Sequence, residues 1–338
     1  MNIAMIGCGL IGTKRSKYFD YKNNNILFVD TDFNASYKLK TLYPRSRFID
    51  NIESIQSMRY LENIDIAFVA TPNKFLFPIG KKCIENKIPV LLEKPGGKTT
   101  KELGDLLNLS IKNNVSVQIG FNLRYHPAVI KAKSLITGNL IGNPQYILAR
   151  YAHGGRLGYN KEWRASKDIA GGGVLIDLGI HLLDLSGFFL RSYGLQFGYS
   201  NINGLTKNSF WNTDVEDTAF LNMRTTNNII CSLSVSCAEW KNIFDFQIIG
   251  TKGKLKITGI GGSYGTETLS VYTMNTDIMG VPEETTHIEY PQEDLSFKLE
   301  QEYFLKLYHG NVSDISTLRD AYNSMAIIEE IYTKGNQS

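Results

Sequence analysis

Two short segments of this sequence carry side chains that could move a proton or stabilise a developing negative charge. Lys94 lies in the tripeptide EKP directly after a short apolar run, and Asp177 and His181 lie four residues apart in a second, strongly apolar stretch. A lysine ammonium group can hydrogen-bond an oxygen that becomes negative, and a neutral imidazole can accept the proton of a hydroxyl group. The spacing of four predicts that Asp177 and His181 project from one face of a helix.

Each of these residues also has a structural interpretation. Taken alone, Lys94 is more typical of a surface lysine at the end of a strand, and Asp177 with His181 is equally typical of a helical ion pair. Asp184 would complete a set of three metal-binding side chains, but three ligands on adjacent helical turns do not converge on one ion. We therefore predict no metal site, and the chemistry of these residues depends on what lies beside them.

A glycine-rich loop near the start of the chain predicts a cofactor site. The segment GCGLIG, residues 7–12, follows an apolar strand and opens a helix. The first glycine allows a tight turn, the second lets the backbone approach a pyrophosphate, and the third permits close packing of the helix on the strand. The N–H groups at the start of the helix favour the negative phosphates. The predicted contacts are Gly7, Gly9, Leu10, Ile11 and Gly12.

The next strand ends at Asp30, which indicates the kind of dinucleotide. Asp30 follows Gly7 by 23 residues, a position at which a carboxylate accepts hydrogen bonds from the adenine ribose hydroxyls. The same carboxylate would repel the 2′-phosphate of NADP, and the three residues after Asp30 include no arginine that could bind that phosphate. We therefore predict NAD as the cofactor.

Short apolar runs alternate with helical patterns through the first 120 or so residues. The predicted strands are Asn2–Ile6, Ile26–Val29, Ile64–Ala70, Val90–Leu92 and Val115–Ile119. A helix is predicted over Lys101–Asn113, with Thr99 or Thr100 as its N-cap. This alternation predicts a doubly wound α/β sheet, in which the loops that follow the strands share the carboxyl edge where ligands bind. The predicted cofactor contacts at this edge also include Thr71, Pro72, Asn73, Glu93 and Lys94.

The pattern changes after residue 122. A long helical region is followed by alternating apolar runs joined by short turns, and these predicted strands are Glu216–Arg224, Asn228–Ala238, Ile243–Ile249 and Lys254–Thr258. Consecutive strands with tight turns predict an antiparallel sheet and therefore an α+β domain. A closing helix is predicted over Ile315–Lys334. The boundaries are thus residues 1–122 for the dinucleotide-binding domain and residues 123–338 for the α+β domain.

Composition and charge exclude several classes of protein. A net charge of +3 over 338 residues predicts neither a nucleic-acid partner nor a membrane partner, and no apolar run approaches the length of a membrane span. The four cysteines form no CxxC pair, so we predict reduced thiols. A strand begins at Asn2, which leaves no signal peptide, and we expect a cytoplasmic protein.

Taken in chain order, five segments resemble the Gfo/Idh/MocA oxidoreductase family. They are GCGLIG, TPN, EKP, GFNLRYHPAV and EWRASKDIAGGGVLIDLGIHLLDL. The resemblance implies a Rossmann domain followed by an open, mostly antiparallel sheet, a cis bond between Lys94 and Pro95, and a homodimer or homotetramer formed through the sheet. It also implies Lys94, Asp177 and His181 as the catalytic set, with Asn122 and Arg164 near the nicotinamide or the substrate.

Two positions depart from the family pattern, and one segment points to the substrate. Leu76 stands where the family often has a histidine, and Lys87 stands where it often has a glycine. Residues 153–164 resemble a branch found with nucleotide-sugar dehydrogenases of surface-polysaccharide biosynthesis. The predicted substrate contacts are Arg124, Tyr125, Tyr151, His153, Asp177 and His181. The cations that could bind a nucleotide diphosphate are Arg124, Arg156 and Arg164.

The sequence therefore predicts an NAD-dependent oxidoreductase that acts on a secondary hydroxyl, or the corresponding ketone, of a sugar or nucleotide sugar. An inositol or free-sugar dehydrogenase is the nearest alternative. A sensor that binds NAD without turnover is a second alternative, but such a protein would be expected to lose Lys94 or His181, and both are present. Hydrolysis or dehydration with a resident NAD is a third alternative.

Overall fold

A computed structural model describes residues 1–50, 58–273, 283–291, 293–310, 312, 314 and 316–335. The chain forms two compact units: the first holds residues 1–121, 168–171 and 297–322, and the second holds the rest of the described chain. The first crossing between the units lies after residue 121, next to the predicted boundary. The prediction divided the chain at one boundary only. It therefore did not assign residues 168–171 and 297–322 to the first unit.

The two units together contain fourteen strands and nine α-helices within the described residues. The strands are β1 (Asn2–Ile6), β2 (Asn25–Val29), β3 (Arg47–Ile49), β4 (Ile66–Val69), β5 (Val90–Glu93), β6 (Val117–Gly120), β7 (Pro144–Ala152), β8 (Tyr199–Lys207), β9 (Thr218–Thr225), β10 (Ile230–Ser236), β11 (Ile243–Gly250), β12 (Gly253–Thr258), β13 (Glu267–Thr273) and β14 (Glu283–Tyr290). The helices are α1 (Leu10–Ser16), α2 (Phe33–Leu42), α3 (Asn73–Glu85), α4 (Thr100–Asn113), α5 (Pro127–Thr137), α6 (Lys167–Ala170), α7 (Ile180–Ser192), α8 (Ser296–His309) and α9 (Ser316–Gly335). A π-helical turn, Leu175–Gly179, precedes α7.

The first unit is built on a parallel sheet with strand order β3-β2-β1-β4-β5-β6. All five predicted strands are confirmed, and Thr99 is the N-cap of α4, where its side chain accepts a hydrogen bond from the N–H of Glu102. The order reverses between β1 and β4, so the loops after these strands open onto the crevice where ligands bind in such sheets. The predicted doubly wound fold is therefore confirmed.

The tail of the chain contributes to the core of this first unit. Phe304 of α8 is fully buried, and its ring lies edge-on to Phe68 of β4 with 5.6 Å between the centroids. Phe28 and Leu91 belong to the same cluster. Burying one such side chain stabilises the fold by about 1.5–3 kcal/mol, which accounts for the return of residues 297–322 to this unit.

The second unit is built on an eight-stranded sheet with order β14-β13-β12-β11-β7-β10-β9-β8. Every pairing is antiparallel except that of β10 with β7, so the predicted mostly antiparallel sheet is confirmed. The four predicted strands correspond to β9–β12. The strand β7 lies in the stretch predicted to be helical, because Tyr146 and Leu148 are apolar on its exposed face and hide the two-residue period.

The helical stretch Lys167–Ser192 is the one helix of the described residues that is long and apolar enough to cross a membrane. In its most apolar window 89% of the residues are buried inside the protein, as they are in the core helix of a globular domain. A single helix of this kind is weak evidence for a membrane span, and the cytoplasmic location stays a prediction.

The four cysteines are buried and form no disulfide. Burial raises the pKa of Cys83, Cys231 and Cys237 to about 12, and burial also raises the pKa of Cys8. These thiols are therefore protonated at neutral pH and are poor nucleophiles. The prediction that the cysteines are core residues is confirmed, and their reduced state stays a prediction.

Candidate active site

The three glycines of the loop after β1 serve two different purposes. Gly7 has a φ of +90°, and a Cβ atom there would lie 2.5 Å from the carbonyl oxygen of Ala70. A Cβ atom on Gly12 would lie 1.9 Å from the carbonyl oxygen of Gly7, whereas one on Gly9 would meet no described atom within 4 Å. Gly7 and Gly12 therefore shape the loop, and Gly9 keeps open the space through which a pyrophosphate could approach the backbone.

This difference gives a prediction with its own control. Gly9→Ala should leave the melting temperature unchanged, because its methyl group meets no protein atom, but it should weaken NAD binding by about tenfold or more. Gly12→Ala should lower the melting temperature, because its methyl group overlaps a backbone oxygen. Thermal unfolding and calorimetric titration measure both effects. Unchanged NAD affinity in Gly9→Ala would show that the pyrophosphate does not bind at this loop.

Asp30 follows β2 and supports the glycine loop. One carboxylate oxygen accepts a hydrogen bond from the N–H of Cys8 at 2.6 Å, and the other accepts one from the N–H of Asp32 at 2.9 Å. Asp32 in turn is the N-cap of α2. The carboxylate therefore stands beside the glycine loop, and it stays partly exposed. Its predicted contact with the adenine ribose remains a proposal.

The EKP loop begins where β5 ends at Glu93, and the Lys94–Pro95 bond is cis, as predicted. Arg15 of α1 is fully buried and donates from Nε to Glu93 at 2.6 Å and from Nη2 to Glu300 of α8 at 2.7 Å. Two carboxylates and one guanidinium thus form a buried cluster that ties α1, the EKP loop and α8 together. Because removing one partner of a buried ion pair costs about 3–5 kcal/mol, this cluster fixes the backbone at Lys94.

Sequence reasoning missed this cluster. Arg15 lies between Lys14 and Lys17 in sequence and so looks like part of a solvated basic face. In the fold, the ring of Phe297 lies 5.1 Å from its guanidinium carbon. Glu93, which was predicted as a cofactor contact, is held by Arg15 through its carboxylate. Glu93 matters to the site because it directly precedes Lys94, so the ion pair with Arg15 holds the backbone there.

The TPN loop after β4 holds the segment 168–171. The side-chain amide of Asn73 donates to the carbonyl oxygen of Ala170 at 2.8 Å, and Lys74 pairs with Asp168 at 2.6 Å. Asn73 is therefore engaged within the protein rather than freely available to a cofactor. The hydroxyl of Thr71 is buried and finds no hydrogen-bond partner among the described residues. Thr71 therefore fits a site that a polar ligand completes.

The second unit gathers Asp177 and His181 with two further predicted residues. Asp177 lies in the π-helical turn and His181 in the first turn of α7. The two side chains are thus borne by different kinds of helix, although the sequence predicted a single α-helix. Arg164 lies with Nε 3.4 Å from a carboxylate oxygen of Asp177, and the ring of Tyr151 is centred 6.1 Å from that of His181. A π-helical turn often occurs at functional sites.

Glu216 holds the backbone that leads into this turn. Its carboxylate accepts hydrogen bonds from the N–H groups of Gly173 and Leu175, both at 3.0 Å, and from the hydroxyl of Tyr332 at 2.7 Å. Burial raises the pKa of Glu216, although these hydrogen bonds oppose the shift. A Cβ atom on Gly173 would lie 2.0 Å from the carbonyl oxygen of Glu216. The glycine run at residues 171–173 is the sequence signal that another part of the backbone comes close. The sequence does not show that Glu216 is the residue that does so.

Tyr151 and His153 leave β7 beside these groups. Burial, followed by the nearby Tyr264, raises the pKa of Tyr151 well above its usual value, so its phenol stays protonated. Nδ1 of His153 accepts a hydrogen bond from the N–H of Gly155 at 3.0 Å, and burial lowers the pKa of this histidine. Tyr151 and His153 are therefore neutral hydrogen-bonding groups near neutral pH.

The remaining predicted contacts have partners of their own. Arg124 is buried and binds both carboxylate oxygens of Asp184, with Nε 2.8 Å from one of them. The side-chain amide of Asn122 donates to the hydroxyl of Ser296 at 2.9 Å, and Tyr125 is half-buried. Since the guanidinium of Arg124 is taken up by Asp184, Arg156 is the more accessible cation for a diphosphate. Across the described residues, no group of three His, Cys, Asp or Glu side chains is placed to hold a metal ion.

Two family models match this chain. One, described as an oxidoreductase family with an NAD-binding Rossmann fold, matches residues 1–121. The other is the GFO/IDH/MocA C-terminal domain, and it matches residues 129–256. The chain belongs to the Gfo/Idh/MocA family. The first unit is therefore the NAD-binding domain of this family, and NAD is its cofactor.

Individual relatives of this Gfo/Idh/MocA protein are distant. A levoglucosan dehydrogenase from Pseudarthrobacter phenanthrenivorans is 25% identical over 57% of this chain, which spans about half, 55%, of that relative's length. The structure of a levoglucosan dehydrogenase with NADH and levoglucosan is similar with a TM-score of 0.83, 20% identity and coverage of 100% and 97% of the two chains. A UDP-N-acetylglucosamine 3-dehydrogenase from Acidithiobacillus ferrooxidans has a TM-score of 0.77, 17% identity and coverage of 98% and 97%. The similarity to these structures shows the fold.

The two departures from the family pattern are accommodated locally. Lys87 adopts a φ of +58° before β5, which is the left-handed conformation that a glycine adopts most readily. Leu76 is fully buried within α3. Lys87 therefore keeps a backbone conformation typical of glycine, and Leu76 packs in the core where the Gfo/Idh/MocA family often has a polar side chain.

Proposed function

We propose that this Gfo/Idh/MocA protein is an NAD-dependent oxidoreductase that acts on a secondary alcohol, or the corresponding ketone, of a sugar or nucleotide sugar. The proposal is supported by one observation above the others: Asp177 lies beside Arg164, and His181, four residues further along the same helical stretch, lies against Tyr151. The NAD-binding domain of the same chain holds Lys94 at a loop fixed by buried ion pairs. NAD, when bound, supplies the nicotinamide that exchanges a hydride with the substrate carbon.

The roles of the side chains follow from their chemistry. On oxidation the substrate carbon loses a hydride and its hydroxyl loses a proton, so a carbonyl group forms. His181 accepts that proton as a general base. Lys94 donates a hydrogen bond to the same oxygen and stabilises the negative charge that develops on it. Asp177, which lies beside Arg164, binds a neighbouring hydroxyl or orients His181.

The alternatives make different demands on these residues. A non-catalytic sensor of the same fold would need the glycine loop but not Lys94 or His181, so the presence of both favours an enzyme. An inositol or free-sugar dehydrogenase would need the same catalytic set and no cation for a diphosphate. Arg156 pairs with Glu162 but is largely exposed, and this accessible cation favours a sugar conjugate.

The deciding experiment is a substrate panel. Purified protein and NAD are incubated with nucleotide sugars, free sugars, sialic-acid-like sugars and inositols, and the absorbance of NADH is followed. We expect reduction of NAD with one or more sugars or sugar conjugates. Turnover confined to inositols or to non-carbohydrate alcohols would overturn the substrate class, and no turnover on any member would favour the sensor.

The preference for NAD is a separate prediction. The carboxylate of Asp30 and the 2′-phosphate of NADP carry like charges, and their repulsion at a partly exposed site costs about 1 kcal/mol or more, or roughly fivefold in affinity. Dissociation constants for NAD and NADP, measured by calorimetry, should show this preference. Asp30→Asn removes the charge and keeps an acceptor for the N–H of Cys8, so it should reduce the preference. Equal affinities in the wild-type protein would remove this role from Asp30.

We also propose how the protein assembles and where it acts. Tyr146, Leu148, Phe220 and Ile230 are exposed apolar side chains on strands of the second unit's sheet, and exposed apolar surface of this kind favours association. A homodimer or homotetramer through this face remains a proposal, as does a cytoplasmic role in polysaccharide biosynthesis. Light scattering of the purified protein measures the number of subunits and so tests the proposed homodimer or homotetramer.

A further inference from the structure

Five aromatic rings of the second unit form a continuous row. Successive ring centroids lie 5.7 Å apart from His153 to Tyr159, 5.3 Å from Tyr159 to Trp211, 5.0 Å from Trp211 to Phe210 and 4.7 Å from Phe210 to Trp240. We call these five residues the aromatic row. Its inner rings are buried or partly buried, whereas Phe210 is 48% exposed and Trp240 is 72% exposed. The row therefore leads from the interior of the unit to solvent.

The inner end of the row lies beside the proposed catalytic cluster. Arg164 lies 3.4 Å from the Asp177 carboxylate and 3.8 Å from that of Glu162. Glu162 also pairs with Arg156 at 2.6 Å, and the guanidinium of Arg156 lies 5.8 Å from the centroid of Tyr159. The rings of the row that are open to a ligand are Phe210 and Trp240, so a substrate bound near Asp177 would meet the row at these two rings with a part that does not react.

The middle of the row is held by a dedicated loop. The carboxylate of Asp217 accepts hydrogen bonds from the N–H groups of Ser209, Phe210 and Trp211 at 2.9, 2.6 and 3.2 Å. Burial opposes the ionisation of Asp217, but these backbone hydrogen bonds outweigh it, and its pKa lies below the usual value. The indole N–H of Trp211 donates to the carbonyl oxygen of Cys237 at 2.8 Å. The loop thus presents two rings in fixed positions.

The outer end of the row is strained as well as exposed. Trp240 has a φ of +65°, which residues with bulky side chains rarely adopt. A Cβ atom on Gly154 would lie 3.2 Å from the Cα atom of Trp240, and one on Gly155 would lie 2.1 Å from the ring of Trp211. Trp240 is neither buried in the core nor favoured by its backbone conformation. Residues with strained backbone conformations are concentrated at ligand-binding sites.

We propose that the aromatic row binds a second ring of the substrate, the neighbouring sugar or aglycone of a glycoside or glycosyl conjugate, while the first ring reacts near Asp177. This inference rests on the proposed function and extends it to the part of the substrate that does not react. The ring at the outer end would lie against Trp240 and Phe210.

The chemistry around the row fits a carbohydrate better than a protein surface. The guanidinium of Arg156 lies 5.8 Å from the centroid of Tyr159, and Glu239, which precedes Trp240, pairs with Arg150. A sugar ring has an apolar C–H face for an aromatic ring and a rim of hydroxyls for such charged groups. A protein interface of useful size would instead need a broad apolar patch.

The test compares a free sugar with a glycoside of that sugar in wild-type protein and in Trp240→Ala. We expect kcat/KM for the glycoside to fall by about tenfold, mainly through KM, with little change for the free sugar. Trp240→Phe should recover most of the loss. Tyr303→Ala is the control, because Tyr303 is an exposed aromatic residue on α8 of the first unit with no proposed role in substrate binding or assembly, and it should leave the selectivity unchanged.

Three outcomes separate this inference from the proposed function. If the wild-type protein oxidises no sugar or glycoside, the proposed function has failed. If it oxidises both but Trp240→Ala leaves their ratio of kcat/KM unchanged, the aromatic row does not bind substrate. If Trp240→Ala instead changes the oligomeric state in light scattering without changing the ratio, Trp240 contacts a second copy of the chain and the inference is overturned.

Discussion

Replacing Lys94 with alanine should lower kcat by about 100-fold or more, because one hydrogen-bond donor to a developing negative charge is worth this much in comparable sites. Affinity for NAD should be retained, because the pyrophosphate is expected to bind at residues 7–12 and not at the EKP loop. The measurement pairs steady-state kinetics on the best member of the substrate panel with calorimetric titration of NAD.

The matched control is Lys101→Ala, which removes an exposed lysine that pairs with Asp105 on the same helix. This variant should keep near-normal turnover and stability. Near-normal turnover in Lys94→Ala as well would make Lys94 structural. Loss of NAD binding together with turnover would show that Lys94 acts mainly through its predicted contact with the cofactor and not through the reacting oxygen.

Replacing His181 with alanine should lower kcat/KM in the oxidative direction by about 10²–10⁴-fold, the usual contribution of a general base. The sign of the pH dependence follows from the role. A protonated imidazole cannot accept the hydroxyl proton, so wild-type activity should fall as the pH is lowered, and the alanine variant should lose this acidic limb. Profiles of kcat/KM against pH measure both effects.

His287→Ala is the control for this experiment, since His287 lies on β14 with its side chain about half exposed. The acidic limb should persist in this variant. If it also persists in His181→Ala, another group takes the proton. The carboxylate of Asp177, which lies beside Arg164, would be the first replacement to test.

The sequence predicted those parts of the fold that depend on local pattern. The strand Asn2–Ile6 and the glycine loop that follows it were predicted with their bounds, because buried parallel strands give short apolar runs and glycine is needed where the backbone turns sharply. The strand β7 escaped prediction because its exposed face is also apolar. The hydrogen bonds of the π-helical turn at Asp177 span one residue more than those of an α-helix, and the sequence shows no pattern for it.

The candidate site was predictable in its residue types but not in its supports. Lys94, Asp177 and His181 were found from short motifs, whereas the cluster of Arg15, Glu93 and Glu300 depends on a contact between residues 285 positions apart. An arginine flanked by lysines gives no sign of burial until its partner is known. The ion pair of Arg124 with Asp184 escaped prediction for the same reason: the two residues are 60 positions apart.

The most direct test of hydride transfer follows the hydrogen itself. A sugar substrate found in the panel is prepared with deuterium on the carbon that is oxidised, and after turnover the cofactor is analysed by mass spectrometry and NMR. The account predicts deuterium on the nicotinamide ring of the reduced cofactor and none released to water. Deuterium found in the solvent, with the cofactor returned unlabelled and oxidised, would contradict it and would indicate elimination or hydrolysis with a resident NAD.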